Sequence, residues 1–308
     1  MQRWIEIPTA DMTHQEWIAA RRSSIGGSDA AAIVGMSKWA TPYSVWAEKT
    51  GKIIPEDISK NEPVRLGVFL EPYVAARFTE ETGLEVYEKP AILKNPAYPW
   101  AHANVDRLVV GEDAGLECKT TSAWNTGEFK NGQYPDNFYV QCVHYLAITG
   151  CSHWYLAVLI GNSDFKIFRI DRNEEEIAAL MEAERNFWQF VETGKEPPMI
   201  GGEADQKAMS TLYPQSDGSA VDLFGREGMM ERYMNLNTQI KALEGAKDAI
   251  KAEIQKDRGA AEKGLCGAYT ASWGNRTRKS VCDAATPGAI PGFYKTTTFR
   301  QFEVKKGE

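Results

Sequence analysis

Asn104-Val105-Asp106-Arg107-Leu108-Val109-Val110, followed after a short turn by Gly115-Leu116-Glu117-Cys118-Lys119, reads as two β-strands that bring three charged side chains toward one point. Side chains two apart on a strand point to the same face. Glu117 and Lys119 therefore share a face, and the turn brings Asp106 beside them. Two carboxylates with the backbone carbonyl of Cys118 between them make an oxygen-rich set suited to Mg2+ or Mn2+. A lysine next to such an ion can hold and activate water, and metal-assisted phosphodiester hydrolysis is the chemistry these parts serve. Taken alone, Asp…Glu-x-Lys also describes the solvated face of an ordinary hairpin.

Working outward, Leu66–Glu81 has a helical period that closes at Thr82-Gly83, and it carries Glu71 on an otherwise apolar segment. Residues 14–22 and Ser28–Val34 read as short helices on either side of the Gly26-Gly27 turn. Leu84–Tyr87 and Ala91–Leu93 are strand-like, as are His153–Ile160 and Asp164–Ile170. Asn137–Thr149 is helical and closed by Gly150, and Gln141 lies on it among apolar neighbours. Asp171 is expected to cap an acidic helix over Glu174–Glu192. Helices flanking a mixed sheet give an α/β or α+β domain.

The expected domains are a core over residues 1–200, a linker at 201–220, a helical arm at 221–258 and a β-rich module at 259–308. In the arm, Met229, Tyr233, Leu236, Ile240, Leu243 and Lys247, then Ile250 and Ile254, alternate at spacings of four and three. This heptad seam suits either a coiled coil or a helix docked on its own core. The last segment carries eight Lys/Arg against four acids. There Trp273, Arg276, Arg278 and Lys279 could stack on and neutralise single-stranded DNA, or simply form a surface β-module.

The 308 residues carry 35 Lys+Arg against 42 Asp+Glu, a net charge of −7, with 43% apolar residues. This is a globular composition with core enough to fold without staples. The acidic balance disfavours a protein that coats nucleic acid, but not an enzyme holding DNA in a confined channel. No apolar run reaches the roughly 18 residues of a spanning helix, and the start lacks a signal-peptide stretch. The five cysteines form no CxxC pair, which argues against disulfides, a zinc ribbon or an iron–sulfur cluster and for a reducing cytosol.

The order Arg21/Arg22…Ile25-Gly26-Gly27-Ser28-Asp29, Gly67…Glu71, Asp106, Glu117-Cys118-Lys119, Gln141…His144 resembles the YqaJ-type viral recombinases, relatives of bacteriophage lambda exonuclease among the PD-(D/E)XK nucleases. The resemblance is tightest over residues 15–170. It implies an α/β restriction-endonuclease-like core, a mixed central sheet flanked by helices. It further implies a metal-dependent 5′→3′ exonuclease on linear double-stranded DNA, leaving 3′ single strands for a phage single-strand annealing protein. A homo-oligomer, a trimeric ring, is implied in the same way. Asp106, Glu117 and the Cys118 carbonyl would bind Mg2+, Glu71 would support them, Lys119 would orient the water and Gln141 would position the catalytic face. Arg21, four residues after Trp17, falls where the family holds a terminal 5′-phosphate, with Arg22 as the neighbouring candidate and Ser28 as a further contact. Two positions depart from the pattern: Val105 replaces the family's proline, and Asn104 stands where a small hydroxyl residue contacts phosphate. His144 on the Gln141 helix reads as a packed residue rather than a ligand.

Two other classes compete. Ile25 to Gly35 is glycine-rich before a helix, but no strand precedes it and GxGxxG is absent, which removes a dinucleotide-binding enzyme. A nuclease-fold scaffold that binds DNA ends and a recombination partner without cutting is the alternative, disfavoured by the presence of all three core residues.

Overall fold

The strands around Asp106 belong to a five-stranded mixed sheet. The computed structural model describes residues 4–55, 57–281 and 294–306. Its elements begin with β1 (Ile5–Pro8), α1 (His14–Arg22), α2 (Gly27–Ile33), α3 (Pro42–Lys49) and α4 (Glu62–Thr82). Strands β2 (Val86–Tyr87), β3 (Ala91–Lys94), β4 (Arg107–Val109) and β5 (Ala114–Thr121) follow, then helix α5 (Asp136–Thr149). Strands β6 (His153–Ile160) and β7 (Asp164–Asp171) lead to helices α6 (Glu174–Thr193) and α7 (Glu203–Leu212).

The sheet order is β2-β4-β5-β6-β7, and β1 pairs separately with β3. Only β5 and β6 run parallel, with Glu117 opposite Leu156 and Lys119 opposite Val158. Parallel neighbours need a crossover, which α5 supplies. Alternation along β5 sorts its side chains. Ala114, Leu116 and Cys118 pack with Val74 and Phe78 of α4. Gly115 and Glu117 face the other way, toward Trp154 and Gln141. One strand thus contributes apolar side chains to one layer and the charged pair to the other.

Gly115 is required by close approach: a Cβ there would sit 2.1 Å from Cη2 of the fully buried Trp154. Overpacking a dense core costs about 1–3 kcal/mol. Gly115→Ala is expected to lie at or above the top of that range, read as a fall in urea midpoint with unchanged slope.

Three features depart from the sequence reading. The cap of α6 is Asn173, whose side chain accepts from the amides of Glu175 and Glu176, not Asp171, which ends β7. Helix α3 lies in a stretch not read as helical, capped by Thr41 with Pro42 in its first turn; it buries Tyr43, Val45, Trp46 and Ala47. The stretch expected as a linker at 201–220 contains α7, with Ala208 buried. Asp205 explains this: its carboxylate accepts from the Thr41 hydroxyl and from the amides of Ile200 and Gly201 at 3.0 and 2.8 Å, fastening what the Gly201-Gly202 pair suggested was free.

Contacts divide the chain into two units, Met1–Asp217 and Gly218–Glu308. The second holds helix α8 (Glu227–Arg258) and strands β8 (Lys263–Cys266), β9 (Tyr269–Val281) and β10 (Tyr294–Lys306), antiparallel in the order β10-β9-β8. Within it the Arg258 guanidinium lies 4.9 Å over the Trp273 ring, so one face expected to stack on bases is already covered. The side chains of Arg276, Arg278 and Lys279 lie outside the described residues. No helix among the described residues is long and apolar enough to cross a membrane.

Candidate active site

A cavity of about 240 Å3 opens at the C-terminal half of β5, lined on one side by Asp106, Glu117, Lys119 and Gln141. Its other wall holds Arg21, Ser28, His102 and Asn104. Three of the expected residues, Arg22, Glu71 and Cys118, are not in that lining. Glu71 on α4 is engaged by Arg107 at 2.7 Å.

Asp106 enters β4 from the loop, and its Oδ2 accepts the Cys118 amide at 2.8 Å, which locks the carboxylate against β5. Burial first, and then the nearby Glu117 carboxylate, pushes Asp106 up to about 7. Glu117 is 2% exposed. Its Oε1 accepts from Lys119 and, at 2.6 Å, from Gln141 Nε2. Its Oε2 is buried with no hydrogen-bond partner among the described residues. Burial works to lower the Lys119 ammonium, but Glu117 and then Asp106 outweigh it and hold the value above the ordinary range. Lys119 therefore stays charged, a hydrogen-bond donor rather than a base. Glu71 is raised by burial and then by the Asp106 charge, against the opposing Arg107.

Two crowded buried carboxylates, one with an oxygen that has no hydrogen-bond partner among the described residues, form an acceptor-rich set. The donor chemistry fits a hard divalent ion. Among the described residues no group of three or more His, Cys, Asp or Glu is arranged to hold a metal. Mg2+ does not require one, since it is commonly held by one or two carboxylates together with substrate phosphate oxygens. The Cys118 side chain packs toward the α4 layer and burial raises its thiol, so only its backbone is available to the site.

The opposite wall is built around the Gly26-Gly27 turn. Gly27 is needed here because a Cβ would stand 2.7 Å from Tyr145 Cε1 and 3.0 Å from Gln141 Cγ. Lys49 ties the turn down, donating to the carbonyls of Arg21 and Ser24 at 3.1 and 2.8 Å and pairing with Asp29 at 2.6 Å. Arg21 stacks over Trp17 at 4.5 Å, which presents its guanidinium toward the cavity.

His102 was missed by the sequence reading. It is 1% exposed; its Nδ1 meets Ser24 Oγ at 2.9 Å, and its Nε2 has no partner among the described residues. Burial and then the Lys49 charge push it down to about 3, so the ring is neutral at pH 7. Asn104 Oδ1 is likewise buried and unpartnered. The only signal for His102 was a lone polar residue between Ala101 and Ala103. His144, by contrast, is sealed in the core, with Nδ1 2.7 Å from Glu184 and Nε2 donating to the His102 carbonyl at 2.8 Å. It supports His102 and lines nothing.

Comparison with known proteins places this arrangement. The YqaJ-like viral recombinase domain matches residues 16–152, which include every lining residue of the cavity. The YqaJ protein of Bacillus subtilis (strain 168), itself uncharacterised, is 36% identical over 306 residues, 96% of each chain. An alkaline exonuclease from Laribacter hongkongensis superposes with a TM-score of 0.51 at 24% identity, covering 58% of this chain and 93% of that one. The same exonuclease in complex with dAMP gives 25% identity and the same score. The core thus has the restriction-endonuclease-like fold. With near-full-length similarity to YqaJ and the domain match across the whole cavity, this chain belongs to the YqaJ-like viral recombinase family.

Proposed function

We propose that the protein is a Mg2+-dependent exonuclease that degrades linear double-stranded DNA from 5′ ends, leaving 3′ single strands for an annealing partner in a phage recombination system. The observation that carries this reading is a single cavity with two chemically different walls, acidic and lysine-bearing on one side, arginine- and hydroxyl-bearing on the other. The similar alkaline exonuclease, solved with dAMP, supports a nucleotide-releasing reaction. Asp106, Glu117 and the Cys118 carbonyl would hold the ion, and the ion would supply charge stabilisation at the phosphate. Lys119 donates to the attacking water and sets its line of approach. Gln141, bonded to both Glu117 and the Tyr145 hydroxyl, keeps the Glu117 carboxylate turned into the cavity. Arg21 and Ser28 bind the terminal 5′-phosphate, and neutral His102 with Asn104 offers further hydrogen-bonding groups beside it. A ring-shaped trimer would let one chain of DNA stay threaded through successive cuts.

The test uses linear duplex labelled at either end, with or without 5′-phosphate, in Mg2+ or chelator. Mg2+-dependent mononucleotide release from the 5′ end is expected. Bound but uncut DNA under every metal would favour a non-cutting scaffold. A hydrogen bond to a charged group is worth about 1.5–3 kcal/mol, so Arg21→Ala is expected to reduce the preference for phosphorylated over hydroxyl ends by roughly 10–100-fold. An unchanged ratio would move that role to Arg22.

A further inference from the structure

Strand β4 begins at Arg107, and its ladder with β5 pairs Arg107 with Leu116 and Leu108 with Gly115. Asp106 therefore stands just ahead of the paired residues. Val105 precedes it, so no proline ring fixes φ at the entry to the strand. Where the Asp106 carboxylate sits depends on what else holds the peptide between residues 106 and 107.

Two side-chain bonds hold it from opposite faces of the sheet. On the cavity face, Asp106 Oδ2 accepts the Cys118 amide at 2.8 Å. On the α4 face, Arg107 Nη1 donates to the Asp106 carbonyl at 2.6 Å. Arg107 lies on that face because it is opposite Leu116 and two residues before Val109, both of which pack with Val74 and Phe78. The same Nη1 donates to Glu71 at 2.7 Å, and Nη2 meets Glu88 at 3.2 Å.

The Arg107 side chain is only 9% exposed. A guanidinium withdrawn this far needs a counter-charge, and Glu71 supplies it. The bond to the Asp106 carbonyl is additional, and it takes a planar fork to make it together with contacts to two carboxylates. The peptide is planar and includes the Asp106 Cα. Holding the carbonyl therefore holds the point from which the carboxylate springs.

We propose that Arg107 is a positioning residue for the acidic wall, holding the Asp106 carbonyl so that the Asp106 carboxylate meets a cation together with Glu117, a role that rests on the reading of these two as a divalent-metal site. Arg107 is not in the cavity lining, so it acts through Asp106.

The test uses the full chain without DNA. Mn2+ binding is read by electron paramagnetic resonance, and exchange of the Cys118 amide by NMR in the metal-free protein. Arg107→Lys keeps the charge beside Glu71 but cannot reach the carbonyl and both carboxylates at once. Groups that orient a metal ligand typically contribute 10–100-fold to affinity, so Mn2+ binding is expected to weaken by about that factor. Exchange at Cys118 is expected to quicken about tenfold or more, while Leu156 in the neighbouring β6 stays near its wild-type rate. Arg107→Gln, which also removes the charge, is expected to lose at least as much. Glu88→Gln removes only the outer, exposed ion pair and is expected to stay within about threefold of wild type on both measures.

Wild-type Mn2+ affinity in Arg107→Lys or Arg107→Gln would overturn the positioning role alone. So would an equal loss in Glu88→Gln, which would assign the effect to charge at a distance, or equal quickening at Leu156 and Cys118, which would mark a general loosening. A wild-type protein that binds no Mn2+ would overturn the metal reading of the wall and the role of Arg107 with it.

Discussion

Lys119→Ala is expected to lower single-turnover cleavage at saturating Mg2+ by about a thousandfold or more, equivalent to roughly 4 kcal/mol of barrier, while DNA binding stays within a few-fold. The ammonium is largely withdrawn from solvent, paired with Glu117 and 5.5 Å over the Phe138 ring, so it is held in one place. It contributes little to the exterior field that attracts DNA. Removing it has two separable consequences. If Lys119 served only to balance Glu117 and Asp106, extra Mg2+ would replace its charge and the rate would recover as metal is raised. If it orients the attacking water, the rate stays low at every metal concentration. Binding is read by anisotropy of labelled duplex in Ca2+. Turnover within tenfold of wild type at saturating Mg2+ would remove Lys119 from the chemistry.

The acidic wall was legible in the sequence for a simple reason. Period-two alternation on β5 states which side chains share a face, and Asp106 needed only a tight connection to reach them. The other wall was legible only in part. Arg21 and Ser28 sit in one short segment whose order resembles the family, but His102 reaches the cavity through partners distant in sequence. Its backbone amide donates to the Ile25 carbonyl, its ring meets Ser24, and its carbonyl is held by His144. Such long-range polar links leave no periodicity. The same limit hid α7, whose attachment depends on Asp205 meeting Thr41 across 164 positions. Composition around Gly201-Gly202 described the local backbone correctly and the tertiary contact not at all. Glu71 illustrates the converse: its helix was legible, but its pairing with Arg107 was not.

Asp106→Asn is expected to stabilise the metal-free protein while abolishing cleavage. In the unfolded chain an aspartate titrates near 3.9; in the native chain burial and the Glu117 carboxylate push Asp106 up to about 7. A carboxyl raised in this way favours the native state most below its unfolded value, and that contribution is lost as pH rises through about 7. In chelator at pH 8 the wild-type native state carries the full repulsion between the two carboxylates. Asparagine keeps the shape and removes the charge, so a gain on the order of 2 kcal/mol is expected, or roughly 4–8 °C in Tm for a unit of this size. The gain should fall to less than half by pH 5, where native Asp106 is already protonated. Divalent metal should reverse the order, because an ion that binds only the native state stabilises the wild type by mass action and the variant has lost a ligand. Thermal unfolding at pH 5 and pH 8, each with chelator and with Mg2+, reads all four values. A variant no more stable than wild type in chelator at pH 8 would show that Asp106 and Glu117 are not opposed. A variant that Mg2+ stabilises as much as wild type would place the ion elsewhere. The electrostatic conflict that weakens the metal-free fold would also favour binding of a cation by the pair as proposed, so both effects are expected together.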